Sequence, residues 1–136
     1  MAGTGILVAE CINPKRNNEK PSVDMDIIRW DDFEKVELRV GTIKKVEEFP
    51  EAKNPAYILH VDFGDDIGIK KSSAQITDLY QPSQLRGKQV IGVINFPPKQ
   101  IGPLMSECLV TGFYRENGEV VLAVPDREVP NGSKLA

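Results

Sequence analysis

The stretch Val90-Ile91-Gly92-Val93-Ile94-Asn95-Phe96-Pro97-Pro98-Lys99-Gln100-Ile101-Gly102-Pro103-Leu104-Met105-Ser106-Glu107-Cys108-Leu109-Val110-Thr111 sets two short apolar runs on either side of a loop. Pro97 and Pro98 fix φ and remove two backbone donors, and Gly102-Pro103 punctuates the loop again, so strand pairing is expected to stop and restart here. A stiff, partly apolar loop between strands suits recognition of an extended ligand. Phe96, Pro97 and Pro98 offer apolar area with little side-chain mobility, and the amide of Asn95 can hydrogen-bond a peptide backbone.

Outward from this loop the chain reads as strands. Tyr57, Leu59, Val61 and Phe63 alternate with Ile58, His60 and Asp62, the period of a strand with one buried face. A long strand is expected from Glu37 to Phe49, with Gly41 marking a bulge or sharp coil. Gly64-Asp65-Asp66 reads as a hairpin turn into a third strand, Ile67 to Lys71. Ser72-Ser73-Ala74-Gln75 has capping-box spacing and predicts a two-turn helix ended by Pro82. A fourth strand is expected at Gln89 to Phe96, a fifth at Glu107 to Phe113, and a last at Glu119 to Val124 after the Asn117-Gly118 turn signal. Trp30 to Val36 reads as a short helix capped by Asp31 or Asp32, a lid or a dimer element. The order strand, strand, strand, helix, strand, strand belongs to an all-β protein with short helices, built as a five-stranded Greek-key barrel of the OB type.

One domain suits 136 residues. Residues 1 to about 26 lack periodicity and read as a mobile tail, with the working domain over residues 27–136 and Met25 as its natural beginning. Seventeen basic against 20 acidic residues give a net charge of -3, so no global field gathers nucleic acid or an anionic membrane, and any polyanion site must be local. Cys11 and Cys108 have no paired spacing, which speaks against a disulfide framework and a zinc site and fits a reducing, cytoplasmic compartment. Ile6-Leu7-Val8-Ala9 is too short for a secretory core, and no run of about 18 apolar residues could insert into a membrane.

Enzyme readings lack their parts. There is a single histidine, with no Gly-x-Ser-x-Gly elbow, no phosphate loop and no Cys/His metal cluster, so no catalytic residue, metal or cofactor is expected. Asp31-Asp32 and Asp65-Asp66 are adjacent pairs, suited to caps and turns rather than to an acid/base couple. His60 alternates away from the buried positions and reads as an outward strand residue. Of Lys70 and Lys71 only one can face a groove, and Lys70 is favoured; Arg39 faces away from Leu38 and Val40, toward barrel exterior or groove. Glu107 suits a structural role, accepting backbone donors beside the Gly102-Pro103 turn, whereas Ser106 suits the groove. Ser72, Ser73 and Gln75 read first as caps, with Gln75 free to turn toward a ligand.

Six separated motifs carry a family resemblance: Leu38-Arg39-Val40-Gly41-Thr42-Ile43, Glu48-Phe49-Pro50-Glu51-Ala52, Ser72-Ser73-Ala74-Gln75-Ile76, Asn95-Phe96-Pro97-Pro98, Ser106-Glu107 and Val129-Pro130-Asn131-Gly132. Together they resemble the tRNA-binding domain superfamily, and within it the CsaA-type export-related chaperones, from about Trp30 onward. The resemblance implies an OB barrel with added N- and C-terminal elements that build a homodimer. It also implies ATP-independent binding of unfolded or presequence-bearing polypeptides in a groove, without enzymology. The peptide- or tRNA-binding site expected in that groove comprises Arg39, Lys70, Ser73, Gln75, Asn95, Phe96, Pro97, Pro98, Lys99 and Ser106. The alternative is a structure-specific tRNA binder with Arg39, Lys70, Arg86 and Lys99 on phosphates and a base stacked in the groove. In the tRNA-binding branch the position of Phe49 is commonly a histidine, and glycine and methionine often follow the serine where Cys108 and Leu109 stand here, departures that weigh against strong tRNA affinity.

Overall fold

The alternation of Tyr57 to Phe63 sets the centre of the molecule: Tyr57, Leu59, Val61 and Phe63 are all buried, and the strands on either side form around them. The computed structural model describes residues 25–136, so the expected tail over residues 1–26 lies outside the described residues except at its last two positions. In chain order the elements are α1 (Trp30–Glu34), β1 (Leu38–Glu48), β2 (Tyr57–Asp62), β3 (Ile69–Ala74), α2 (Pro82–Leu85), β4 (Gln89–Val93), β5 (Lys99–Ile101), β6 (Leu104–Ser106), β7 (Leu109–Val110), β8 (Gly112–Tyr114) and β9 (Val120–Leu122).

Five strands pair antiparallel in the order β3-β2-β1-β4-β7. The long β1 serves two partners, β4 over Leu38 to Thr42 and β2 over Thr42 to Glu48. The far edge of β3 then meets the chain leaving β6. The Glu107 N–H donates to the Lys71 carbonyl (2.7 Å), the Lys71 N–H donates to Glu107 Oε1 (2.8 Å), and the Ser73 N–H donates to Ser106 Oγ (3.2 Å). Side chains thus stand in for part of a strand and leave a nearly closed five-stranded barrel, as expected for an OB-like fold. Glu107 takes the structural role its position suggests.

Ile43, Leu59, Val61, Phe63, Leu85 and Val90 fill the barrel with almost no exposure. Val61 and Phe63 together crowd position 41, where a Cβ would sit 2.6 Å from Val61 Cγ1 and 2.8 Å from the Phe63 ring, so glycine stands there. A satellite cluster of Phe49, Ala56 and Leu104, joined by Ile58 and Ile101, packs the β5–β6 hairpin onto the outer face of β2.

Several expectations need correction. Ser72, Ser73 and Ala74 form no helix; they continue β3 opposite Leu59, Ile58 and Tyr57, because the edge of β2 demands a partner and a local capping pattern cannot outweigh that ladder. The helix lies later, with Pro82 as its first residue rather than its stop. α1 is capped from inside: Arg29 holds the N-cap position and donates its N–H to Asp32 Oδ2 at 2.9 Å. The register of β1 against β2 slips between Ile43 and Lys45, so the irregularity is not at Gly41, where the glycine answers a packing demand. The third strand starts at Ile69, and the fourth ends at Val93. The loop between Asn95 and Ser106 does hold regular structure, the β5–β6 hairpin turning at Gly102-Pro103. The fifth strand splits into β7 and β8 at Thr111, whose N–H and hydroxyl both donate to the Ile91 carbonyl (2.9 and 2.8 Å) while its own carbonyl accepts from Ala123. The Asn117-Gly118 turn joins β8 to β9 as expected, with Gly118 at a φ of 91°.

Residues after Asn131 complete the first strand. Gly132 N–H donates to Val40 O (2.7 Å), Val40 N–H to Ser133 O (3.0 Å), and Leu135 N–H to Leu38 O (2.8 Å), so this strap occupies the edge of β1 that β2 does not reach. Thr42 and Gln89 anchor it through the Asn131 side chain, and Gln89 also bonds both backbone groups of Val129.

Cys108 lies buried against the barrel, and burial pushes its thiol up to about 12. The thiolate is the reactive form. In a Cys11→Ser variant, whose single thiol is Cys108, a thiol reagent such as Ellman's is expected to react slowly at pH 8 with the folded protein and fully in denaturant; fast modification of that folded variant would contradict the burial.

Candidate functional site

The sequence-predicted residues separate into two groups. At one end, Asn95 continues β4 with its side chain: Oδ1 accepts the Glu37 N–H at 3.0 Å, and Nδ2 donates to the Lys35 carbonyl at 2.7 Å. The amide thus bonds a backbone, as its chemistry suggests, but the backbone is the chain's own. Arg39 is likewise engaged, with Nε and Nη2 donating to Glu37 Oε1 (3.0 and 2.7 Å) and Nη1 to the Gly132 carbonyl (2.9 Å). Lys134 adds Nζ contacts to the Glu34 carbonyl (3.3 Å) and Glu37 Oε2 (3.2 Å). Glu37 is therefore a hub joining α1, β1 and the strap.

Arg39 and then Lys134, bonded to its carboxylate, hold Glu37 below the ordinary 4.5. A depressed folded value means the carboxylate contributes stability above pH 4.5, which is lost as pH falls through the lower folded value. Glu37→Gln is expected to flatten the dependence of melting temperature on pH below 4.5. An unchanged acid limb in that variant would show that the hub contributes nothing.

The second group gathers around the edge of β3. Ser73 and Ser106 are bonded to each other, Lys99 pairs with Ser106 across the β5–β6 hairpin, and Gln75 stands exposed just past β3. Lys70 shares its strand face with the buried Ser72 and Ala74, while Lys71 shares the outer face with Ser73. Phe96 is half-buried between the two groups, and Pro97, Pro98 and Lys99 are exposed. His60 is half-buried on the outer face of β2, bonded through Nε2 to Glu47, whose carboxylate this bond holds below its ordinary value.

Two hollows of the surface lie elsewhere. One of about 400 Å³ opens under the turn from Phe49 to Ala56, beside Tyr57 and Thr77. Another of about 530 Å³ lies along the β8–β9 tip, from Tyr114 to Glu119. Neither is lined by Asn95, Phe96 or the two prolines after it. The Phe49 hollow is the feature that reading the sequence for function missed. Its signal was a second proline-flanked loop, Pro50 to Pro55, with the same stiffness as Pro97-Pro98.

Large apolar side chains stand in water in two sequence-local groups, with Ile69, Met105, Val124 and Leu135 exposed singly elsewhere. Ile27 is 98% exposed and Trp30 64%, with Met25, Ile28 and Val36 nearby in sequence, and Phe113 is 69% exposed beside Tyr114 on β8. At the β1 irregularity, backbone bonds between Ile43 and Gly87 (2.8 Å) and between Ile43 and Lys88 (3.0 Å) bring together the segments that carry Lys44, Arg86 and Lys88. Among the described residues none of these three forms an ion pair. No helix among the described residues is long and apolar enough to cross a membrane.

Known proteins share this arrangement. The model of the tRNA binding domain family matches residues 38–134. The crystal structure of the chaperone CsaA from Bacillus anthracis superposes with a TM-score of 0.77 at 47% identity, covering 82% of this chain and 100% of that one. The CsaA chaperone protein from Picrophilus torridus superposes with a TM-score of 0.75 at 50% identity, covering 81% and 100%. The methionine–tRNA ligase of Flavobacterium johnsoniae is 31% identical over 118 residues, 87% of this chain but 16% of the ligase, so the chain spans about a sixth of that relative's length. With the barrel, its motifs and the family match all falling on the same residues, the chain belongs to the tRNA binding domain family and is similar over most of its length to the CsaA chaperones.

Proposed function

We propose that this protein is an ATP-independent chaperone that binds unfolded or export-competent polypeptides, acting as a cytoplasmic homodimer and serving protein secretion. The observation that carries this reading is the quantity of large apolar side chain left in water on an acidic chain, at Ile27, Ile28 and Trp30 and again at Phe113 and Tyr114. Large apolar side chains left in water in such groups suit contact with other polypeptide. The N-terminal group, next to the strap and α1, suits a second copy of the chain. Ser73, Gln75, Lys99 and Ser106 around the β3 edge, with Phe96, Pro97 and Pro98, suit the client. No catalysis is needed for such a role, and the similarity to two chaperone structures at about half identity supports it.

A second reading has its own support. Lys44, Arg86 and Lys88 offer a local basic patch free of ion pairs among the described residues, and the family match is to a tRNA binding domain. Phosphate contact by such a patch makes binding steeply salt-dependent.

Parallel titrations with unfractionated tRNA and with an unfolded, labelled polypeptide, at low and at moderate salt, separate the two. Micromolar polypeptide binding with little salt dependence is the expected result. Submicromolar tRNA binding that weakens sharply with salt, with no polypeptide binding, would replace the chaperone reading with the nucleic-acid one.

A further inference from the structure

The hollow under the Phe49 turn lies beyond the end of β3, and none of the ten sequence-predicted site residues lines it. β1 ends at Glu48, and the chain returns to β2 through Phe49 to Ala56. Its walls are fixed before anything binds. Phe49 and Ala56 are held in the satellite cluster, the Ala52 N–H is bonded to the Phe49 carbonyl (3.1 Å), the Tyr57 hydroxyl is bonded to the Tyr80 carbonyl (2.9 Å), and Pro50 and Pro55 stiffen the turn. A volume of about 400 Å³ is at the lower end of what ligand pockets occupy.

The chemistry of the lining narrows the guest. Phe49 and Tyr57 are only 3% and 5% exposed, so neither offers a ring face on which a base could stack. The accessible walls combine the alkyl surfaces of Pro50, Ala52 and Pro55 with polar surface to which Glu48, Lys53 and Thr77 contribute. Glu48 and Lys53 place one charge of each sign at the rim, which gives no net field for phosphate or for a charged ligand. The Thr77 hydroxyl makes no hydrogen bond among the described residues and stands two positions after Gln75, beside the end of β3.

We infer that this hollow is a side-chain subsite that takes one large aliphatic residue of an extended polypeptide lying across the end of β3, with the Thr77 hydroxyl bonding the guest's backbone. The inference rests on the polypeptide-binding reading. The preformed walls lower the ordering cost of binding, and the site selects by size and greasiness rather than by sequence.

Fluorescence anisotropy with an unstructured peptide carrying a central leucine, and with its serine analogue, tests it. The wild-type protein is expected to favour the leucine peptide by about tenfold. Ala52→Leu, which fills the hollow from its wall, is expected to abolish that preference, so that the leucine and serine peptides bind with equal affinity. A second measurement needs no variant: with alanine methyls labelled, the Ala52 and Ala56 resonances shift on titration with the leucine peptide, and that of Ala123 stays still. Retained preference in a folded Ala52→Leu protein, or methyls that do not move at saturation, overturns the subsite while polypeptide binding stands. Failure of the wild type to bind either peptide overturns both.

Discussion

Phe63→Ala is expected to destabilise the protein by about 3–5 kcal/mol, the range for removing a fully enclosed aromatic side chain. The ring is 1% exposed and lies against the backbone of β1 and β4, where a Cβ at Gly41 would sit 2.8 Å from it and a Cβ at Gly92 3.0 Å. At roughly 4 °C per kcal/mol for a domain of this size, the melting temperature falls by about 12–20 °C. Gly41→Ala alone is expected to cost about 1–3 kcal/mol through overpacking. The two changes meet in one space, so the double variant is expected to lose less than the sum, because the deleted ring vacates part of the volume the new methyl needs. Urea unfolding of the four proteins measures this. Strict additivity would mean that Val61, whose Cγ1 lies 2.6 Å from that Cβ position, alone sets the demand for glycine.

Ending the chain at Pro130 is expected to cost about 3 kcal/mol or more. Three backbone hydrogen bonds to Leu38 and Val40 disappear, at about 0.5–1.5 kcal/mol each. Arg39 loses the Gly132 carbonyl, Glu37 loses Lys134, and Thr42 and Gln89 lose Asn131. Gly132→Val tests the same strap without shortening it. The residue sits at a φ of 92°, and a Cβ would approach the Phe63 carbonyl oxygen to 2.8 Å. Melting of the shortened chain within a degree or two of the full one would show that β1 needs no cover on that edge.

What the sequence made legible was the part governed by local periodicity. The alternation from Tyr57 to Phe63 identifies β2 and its buried face, and Asn117-Gly118 identifies the β8–β9 turn. Strand order followed from these, and so did the barrel. Features set by distant partners were hidden. Ser72-Ser73-Ala74-Gln75 carries a local helix-start pattern, yet its conformation is decided by Leu59 and Tyr57 across the ladder. The bulge before Lys45 and the strap over β1 depend on where β2 and β4 divide the strand, which no window of neighbouring residues records. For the candidate site, the stiffness of the Asn95 loop was readable. The commitment of the Asn95 amide and the Arg39 guanidinium to the chain's own backbone and to Glu37 was not, because those partners lie far off in sequence.

The strap also bears on when the molecule can take shape during synthesis. β1 emerges from the ribosome early, but the edge beside Val40 stays bare until Gly132 and Ser133 have cleared the exit tunnel. Nascent barrels are thus held incomplete until the strap has followed β1 out, a delay that exposes an unpaired β1 margin to co-translational helpers and to neighbouring nascent chains.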